Sequence, residues 1–273
     1  MKTLLVDNGS LEPAAHEGLR RAAADIGGRA GVPVEAVSWK HSNRVPAQSL
    51  GGGRAWTLGP WIRAQVEAGE RSFLIIPYFV SPQGAIGSAL RRDLEELRDE
   101  LGGFDFSFTD GLSLGDGLAA IVAENVRKAC ASQGLARPAL VVVDHGGPSR
   151  ASAAVRDRTA EAVRAALAGE VGRVAAASME SPDGAEFYFN RPLLAEVLAS
   201  EGFDSGEVVI APLFLLPGRH AGPAGDLDRI AREAEGRSPG LRCHFTELVG
   251  SHPAAAEFLA DALARALNVG LPS

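Results

Sequence analysis

The chain repeats itself. Leu4-Leu5-Val6-Asp7-Asn8-Gly9-Ser10 matches Val141-Val142-Val143-Asp144-His145-Gly146-Gly147 at an offset of 137 residues. Ile75-Ile76-Pro77-Tyr78-Phe79-Val80 matches Ile210-Ala211-Pro212-Leu213-Phe214-Leu215 at an offset of 135. Phe106-Ser107-Phe108-Thr109-Asp110 matches Cys243-His244-Phe245-Thr246-Glu247 at 137 again. Three blocks in one order at nearly one spacing mark two fused copies. Each is about half of the 273 residues, which excludes a solenoid of short repeats.

Each copy alternates short apolar runs with amphipathic stretches. In the first, residues 3–6, 34–39, 73–76 and 104–108 read as buried strands, and 14–30, 61–68, 89–101 and 118–131 as helices. In the second, strands fall at 139–143, 171–177, 207–211 and 241–245, and helices at 153–167, 192–200, 225–235 and 253–267. Strand–helix alternation means a parallel sheet covered by helices on both faces. The expectation is two similar α/β lobes, each with a four-stranded, mainly parallel sheet. They occupy residues 1–131 and 139–273, joined by the polar stretch 132–138.

Composition excludes several classes. Lys and Arg number 27 against 34 Asp and Glu, a net charge of -7, which argues against a nucleic-acid binder. Two cysteines, Cys130 and Cys243, make neither a disulfide framework nor a Cys-rich metal site. No apolar run approaches the roughly 18 residues of a membrane span, and the apolar run at 4–6 is too short for a signal peptide. The expectation is a cytoplasmic protein with no membrane partner.

In open parallel sheets, ligands bind beyond the carboxyl ends of the strands. In the second copy those loops carry Asp144-His145-Gly146-Gly147-Pro148, Ser178-Met179-Glu180-Ser181-Pro182, and Pro212 through Gly218-Arg219-His220. His145, Glu180 and His220 therefore project from one rim of one sheet. Two imidazoles and a carboxylate suit a divalent iron, cobalt or nickel ion, and they also suit proton transfer. Taken singly, each has a plainer reading: a hydrogen-bonding loop histidine, a solvated glutamate, and glycines that make a tight turn. The first copy is an internal control. Position 145 aligns with Asn8 and position 220 with Ala85, and Glu180 falls near Lys40. The scaffold persists while all three chemical positions change, as one site confined to one copy requires.

Of the other histidines, His252 at a helix start, His16 on an early helix and His244 in a strand are in structural settings, while His41 in the loop 41–55 is a candidate rim residue. The run Gly51-Gly52-Gly53 lacks the Gly-Lys-Ser/Thr of a phosphate loop and reads as a flexible segment. No dinucleotide fingerprint is present.

With these residues in view, the chain resembles the sirohydrochlorin chelatases of the CbiX/SirB type, the class II chelatases, in their long fused form. The resemblance rests on the turn at Val143 to Gly147, the Pro212 to His220 block, and Val249-Gly250-Ser251-His252-Pro253. It departs where the family turn reads Gly-His-Gly-Ser, where Arg219 replaces a small residue, and in placing the histidines in the second copy. The resemblance implies insertion of cobalt, iron or nickel into a tetrapyrrole such as sirohydrochlorin, on the way to cobalamin or siroheme. His145, His220 and Glu180 would serve as metal-handling and catalytic residues, and no nucleotide would be needed. Arg150, Arg191 and Arg219 lie near the same loops and are candidate partners for substrate carboxylates. The expected state is a monomer with pseudo-twofold lobes. The alternative is a non-catalytic tetrapyrrole- or metal-binding protein derived from such an enzyme.

Overall fold

A computed structural model describes residues 1–81, 85–112 and 117–269. The elements run β1 (Lys2–Asp7), α1 (Pro13–Ala30), β2 (Val34–Ser38), α2 (Leu58–Glu67), β3 (Ser72–Pro77), α3 (Ala85–Glu100), β4 (Asp105–Phe108) and α4 (Gly117–Gln133). They continue as β5 (Ala139–Asp144), α5 (Arg150–Ala166), β6 (Val174–Ser178), α6 (Leu194–Val197), β7 (Gly206–Pro212), α7 (Asp226–Arg237), β8 (Leu241–Phe245) and α8 (Pro253–Val269).

Two four-stranded parallel sheets form, ordered β2-β1-β3-β4 and β6-β5-β7-β8. The matching orders are the duplication in three dimensions. Side chains alternate across a strand. In β5, Val141 and Val143 enter a cluster with Leu194, Leu227 and Ala231 from α6 and α7. Leu140 and Val142 are equally buried and face the opposite side. A strand buried on both faces reads as an unbroken apolar run, as Leu140 to Val143 does. In the first sheet, Leu4, Val6, Phe73 and Ile75 likewise pack with Trp61, Leu90 and Leu94 of α2 and α3. No described helix is long and apolar enough to cross a membrane.

The compact units do not follow the copies. One comprises Met1–Leu114 with Pro253–Ser273, the other Gly115–His252. Thus α4, the last helix of the first copy, packs against α5 and β7, while α8, the last helix of the second, packs against α1. The boundaries 1–131 and 139–273 describe sequence copies that exchange their closing helices.

Two elements are shorter than expected. β6 starts at Val174 because Gly172 N–H turns back to the Pro138 carbonyl at 2.8 Å. α6 keeps four residues of the 192–200 stretch, because Pro192 precedes it and the Glu196 carboxylate accepts the Leu193 N–H at 2.8 Å. The other histidines have structural partners: His16 with the Ser10 carbonyl, His244 with Glu207, and His252 with Glu124 at 3.3 Å. His41 starts a short turn with φ 69°. Gly51 ends another turn in the left-handed region.

Asp7 at the end of β1 gives the first unit a pH dependence. Its Oδ1 is buried without a hydrogen-bond partner, and burial pushes its pKa from an ordinary 3.8 up to about 6. Between those values the folded state holds a proton that the unfolded chain has released. Stability therefore falls as pH rises through that window, and the cost reaches about 3 kcal/mol at neutral pH. Asp7→Asn is expected to stabilise the protein at pH 8 and to flatten this slope. Urea midpoints at pH 5 and pH 8 check it, and an unchanged slope in the variant would contradict it.

Candidate functional site

β5 and β6 keep pairing past their ends. Met179 N–H donates to the Asp144 carbonyl at 2.8 Å, and Glu180 N–H to the His145 carbonyl at 3.1 Å. This approach requires glycine at 146. Gly146 has φ +84°, and an added Cβ would lie 1.8 Å from the Glu180 carbonyl oxygen. Gly146→Ala should therefore lower stability by about 1–3 kcal/mol or more, by forcing both left-handed strain and separation of the two loops. A variant with the urea midpoint of the wild type would contradict that packing.

The same construction stands in the first unit. Trp39 N–H donates to the Asp7 carbonyl, Lys40 N–H to the Asn8 carbonyl, and a Cβ on Gly9 would meet the Lys40 carbonyl oxygen at 1.8 Å. The backbone thus pairs Asn8 with His145 and Lys40 with Glu180. Ala85, aligned with His220, opens α3, and its side chain lies outside the described residues.

His145, Glu180 and His220 come together in the second unit. They line one cavity of about 520 Å³ with Met179, Arg219, Asp226, Arg229 and Ile230. The rings of His145 and His220 meet edge to face, with centroids 4.7 Å apart. His145 Nδ1 lies 2.9 Å from the Gly146 carbonyl oxygen. A carbonyl only accepts, so Nδ1 carries a proton, and in the neutral ring Nε2 is the nitrogen with the lone pair. Nε2 lies 3.7 Å from Glu180 Oε1, a spacing that a shared proton or a cation could bridge. Among the described residues, no three His, Cys, Asp or Glu side chains form a ready-made metal cluster.

The sequence reasoning missed Asp226. Its Oδ2 lies 2.7 Å from His220 Nδ1, and Arg229 donates to Oδ1 at 3.4 Å. The His220 hydrogen bond, aided by Arg229 and Arg219, holds the carboxyl below the usual carboxylate range. The only hint in the sequence is an acid opening a helix six residues after the histidine. Arg229, also missed, lines the cavity, as Arg219 does. Arg150 and Arg191 are outside that lining. Arg150 stacks 4.7 Å from the Phe189 ring and bonds the Glu186 carbonyl, while Arg191 pairs with Glu196.

A third missed residue supports the site from below. Arg156 of α5 is 2% exposed and donates to Ser178 Oγ and to the Phe189 carbonyl at 3.0 Å. Ser178 in turn donates to Asp144 Oδ1 at 2.6 Å, and the guanidinium lies 3.6 Å from that oxygen. Burial pushes the Asp144 pKa up, and Ser178 and Arg156 oppose that shift. Asn190 completes the support by exchanging two hydrogen bonds with the Gly147 backbone. The turn that carries His145 is thus held on both flanks, at Asp144 and at Gly147.

Residues 139–266 match the CbiX family model. The second copy is similar to the CbiX family over nearly its whole length. The match runs into α8, so it follows the sequence copy and not the compact unit. The matching copy is the one that holds both cavity histidines. No curated protein sequence matches the chain. Among solved structures, SirB from Bacillus subtilis with Fe3+ matches at a TM-score of 0.64 and 14% identity, over 96% of this chain and 94% of that one. The sirohydrochlorin chelatase SirB of Bacillus subtilis subspecies spizizenii, in complex with cobalt, matches at 0.66 and 14%, over 99% and 97%. DR2241 from Deinococcus radiodurans, a multi-domain protein with structural similarity to chelatases and two additional domains, matches at 0.63 and 20%, over 96% of this chain and 54% of that one. These likenesses are of fold, and they span both copies.

Proposed function

We propose that the chain inserts a divalent metal into a tetrapyrrole such as sirohydrochlorin, at one site in the second copy. The observation that carries this is the set His145, Glu180 and His220 in one cavity, with His145 Nε2 3.7 Å from a Glu180 carboxylate oxygen. The CbiX match falls on the same copy. Iron and cobalt accompany the two SirB structures, and imidazole with carboxylate suits iron, cobalt and nickel alike.

Insertion has two requirements: a cation must reach the centre of the macrocycle, and two pyrrole N–H protons must leave it. The histidines would hand over the metal and take up protons, and Glu180 would supply a third oxygen donor or relay a proton outward. Arg219 and Arg229 at the cavity margin would meet the peripheral carboxylates of the substrate. Both roles of an imidazole need its neutral form, so the rate should fall toward acid pH.

The test is to mix purified protein with sirohydrochlorin and Co2+, Fe2+ or Ni2+ and follow absorbance against the spontaneous rate. Acceleration with at least one metal supports insertion. Tetrapyrrole binding with no acceleration would replace it by a non-catalytic carrier.

A further inference from the structure

The loop that carries His220 is locked to the start of α7. Asp226 N–H donates to the Arg219 carbonyl and Leu227 N–H to the His220 carbonyl, both at 3.1 Å. Gly225 lies so close that an added Cβ would meet the His220 carbonyl oxygen at 2.9 Å and the Arg219 carbonyl oxygen at 3.0 Å. The first turn of α7 and the histidine are therefore one rigid piece of backbone. The Asp226 side chain then folds back onto the ring, with Oδ2 2.7 Å from Nδ1, while Arg229 holds the other oxygen.

We infer that Asp226 is the positioning residue of the site, fixing His220 as the Nδ1–H tautomer with its Nε2 lone pair presented to the metal. The inference rests on the metal-insertion reading for its consequence, but the tautomer it assigns is a property of the metal-free protein. An ionised carboxylate can only accept, so the proton between the two groups belongs to Nδ1, and in the neutral ring Nε2 is the nitrogen with the free lone pair. Carboxylate partners of this kind orient ligating histidines and raise their basicity.

The duplication supplies an independent observation. At the offset of 135 that places Ala85 opposite His220, position 226 falls on Arg91. The copy without the histidine is also without the acid. Asp228, in the same turn, provides the contrast. It accepts the Ala224 N–H at 3.0 Å and pairs with Arg232, and no contact joins it to His220. Its position along the helix is as favourable to the helix dipole as that of Asp226.

The experiment has two readouts on the wild type, Asp226→Ala, Asp226→Asn and Asp228→Asn. The first is long-range 15N–1H NMR of the imidazoles in metal-free protein. Expected is the Nδ1–H form of His220 in the wild type and in Asp228→Asn, with a shift toward Nε2–H in Asp226→Ala. The second is Co2+ titration followed by visible absorption. Asp226→Ala should bind about 10–100-fold more weakly, Asp226→Asn should recover part of the loss through its amide oxygen, and Asp228→Asn should match the wild type. An Nε2–H tautomer in the wild type overturns the inference, and so does Co2+ affinity in Asp226→Ala equal to that of the wild type. Asp226→Ala and Asp228→Asn losing affinity equally would reduce the acid to a helix cap and also overturn it. The predicted tautomer in a wild type that binds no Co2+ would sustain the positioning role and remove the metal reading instead.

Discussion

Replacing His145 or His220 by alanine is expected to lower metal insertion by about 10²–10⁴-fold, the range for loss of a positioned proton-transfer group, with the fold intact. Both side chains sit at the cavity. His145 is 45% exposed and His220 31%, so neither truncation opens a core. Asn8→Ala, at the position the backbone equates with His145, should leave the rate near that of the wild type. An amide is a poor base and a poor ligand. Its neighbour Lys40, which stands where Glu180 stands, pairs with Asp93 at 3.3 Å and lies over Trp39. The first copy thus sets an ammonium, paired with Asp93, where the second sets a carboxylate, and an ammonium cannot ligate a cation. Steady-state insertion rates of the three folded variants check this. Equal losses in Asn8→Ala and His145→Ala would show that both copies share the chemistry.

Arg156→Leu is expected to destabilise the protein by about 3–5 kcal/mol, the cost of leaving a buried charge without its partner. The guanidinium is the counter-charge of Asp144 and binds Ser178 and the Phe189 carbonyl. Leucine is the residue the first copy carries at the matching position, Leu19. There, among the described residues, no arginine pairs with Asp7, and burial pushes its pKa up to about 6. The substitution would give Asp144 the same surroundings. Adding Asp144→Asn to Arg156→Leu should recover much of the loss, because it removes the stranded charge. Urea denaturation of the single and double variants measures both effects. A single variant within 1 kcal/mol of the wild type (about fivefold in the folding equilibrium) would mean that this network does not hold the loop.

Sequence carried much of this architecture. The duplication, the eight strands and the parallel sheets were legible because strands buried on both faces leave unbroken apolar runs, and helices leave a longer period. The exchange of α4 and α8 was not, since an amphipathic helix shows the same pattern whichever sheet it covers. His145, Glu180 and His220 could be found because they end equivalent strands in one copy and vanish in the other. Glu180 aligned poorly with Lys40 by residue type, yet identical backbone hydrogen bonds equate them. Asp226 escaped notice because an acid at a helix start has an ordinary explanation. Arg156 escaped because an arginine in a helix is usually solvated. Its signal was position: it lies on the stripe of Ala153, Ala160 and Val163, which packs inward. Arg150 and Arg191 were near the site along the chain, but the aromatic turn and Glu196 engage them outside the cavity lining.

The claim that one copy holds the only metal-handling site is tested most directly by counting cobalt. Equilibrium dialysis of the wild type and of the His145→Ala, His220→Ala double variant against Co2+ gives the number bound per chain. One ion per chain in the wild type and none in the double variant is the result this account requires. Two ions per chain, or one that survives loss of both histidines, would contradict it.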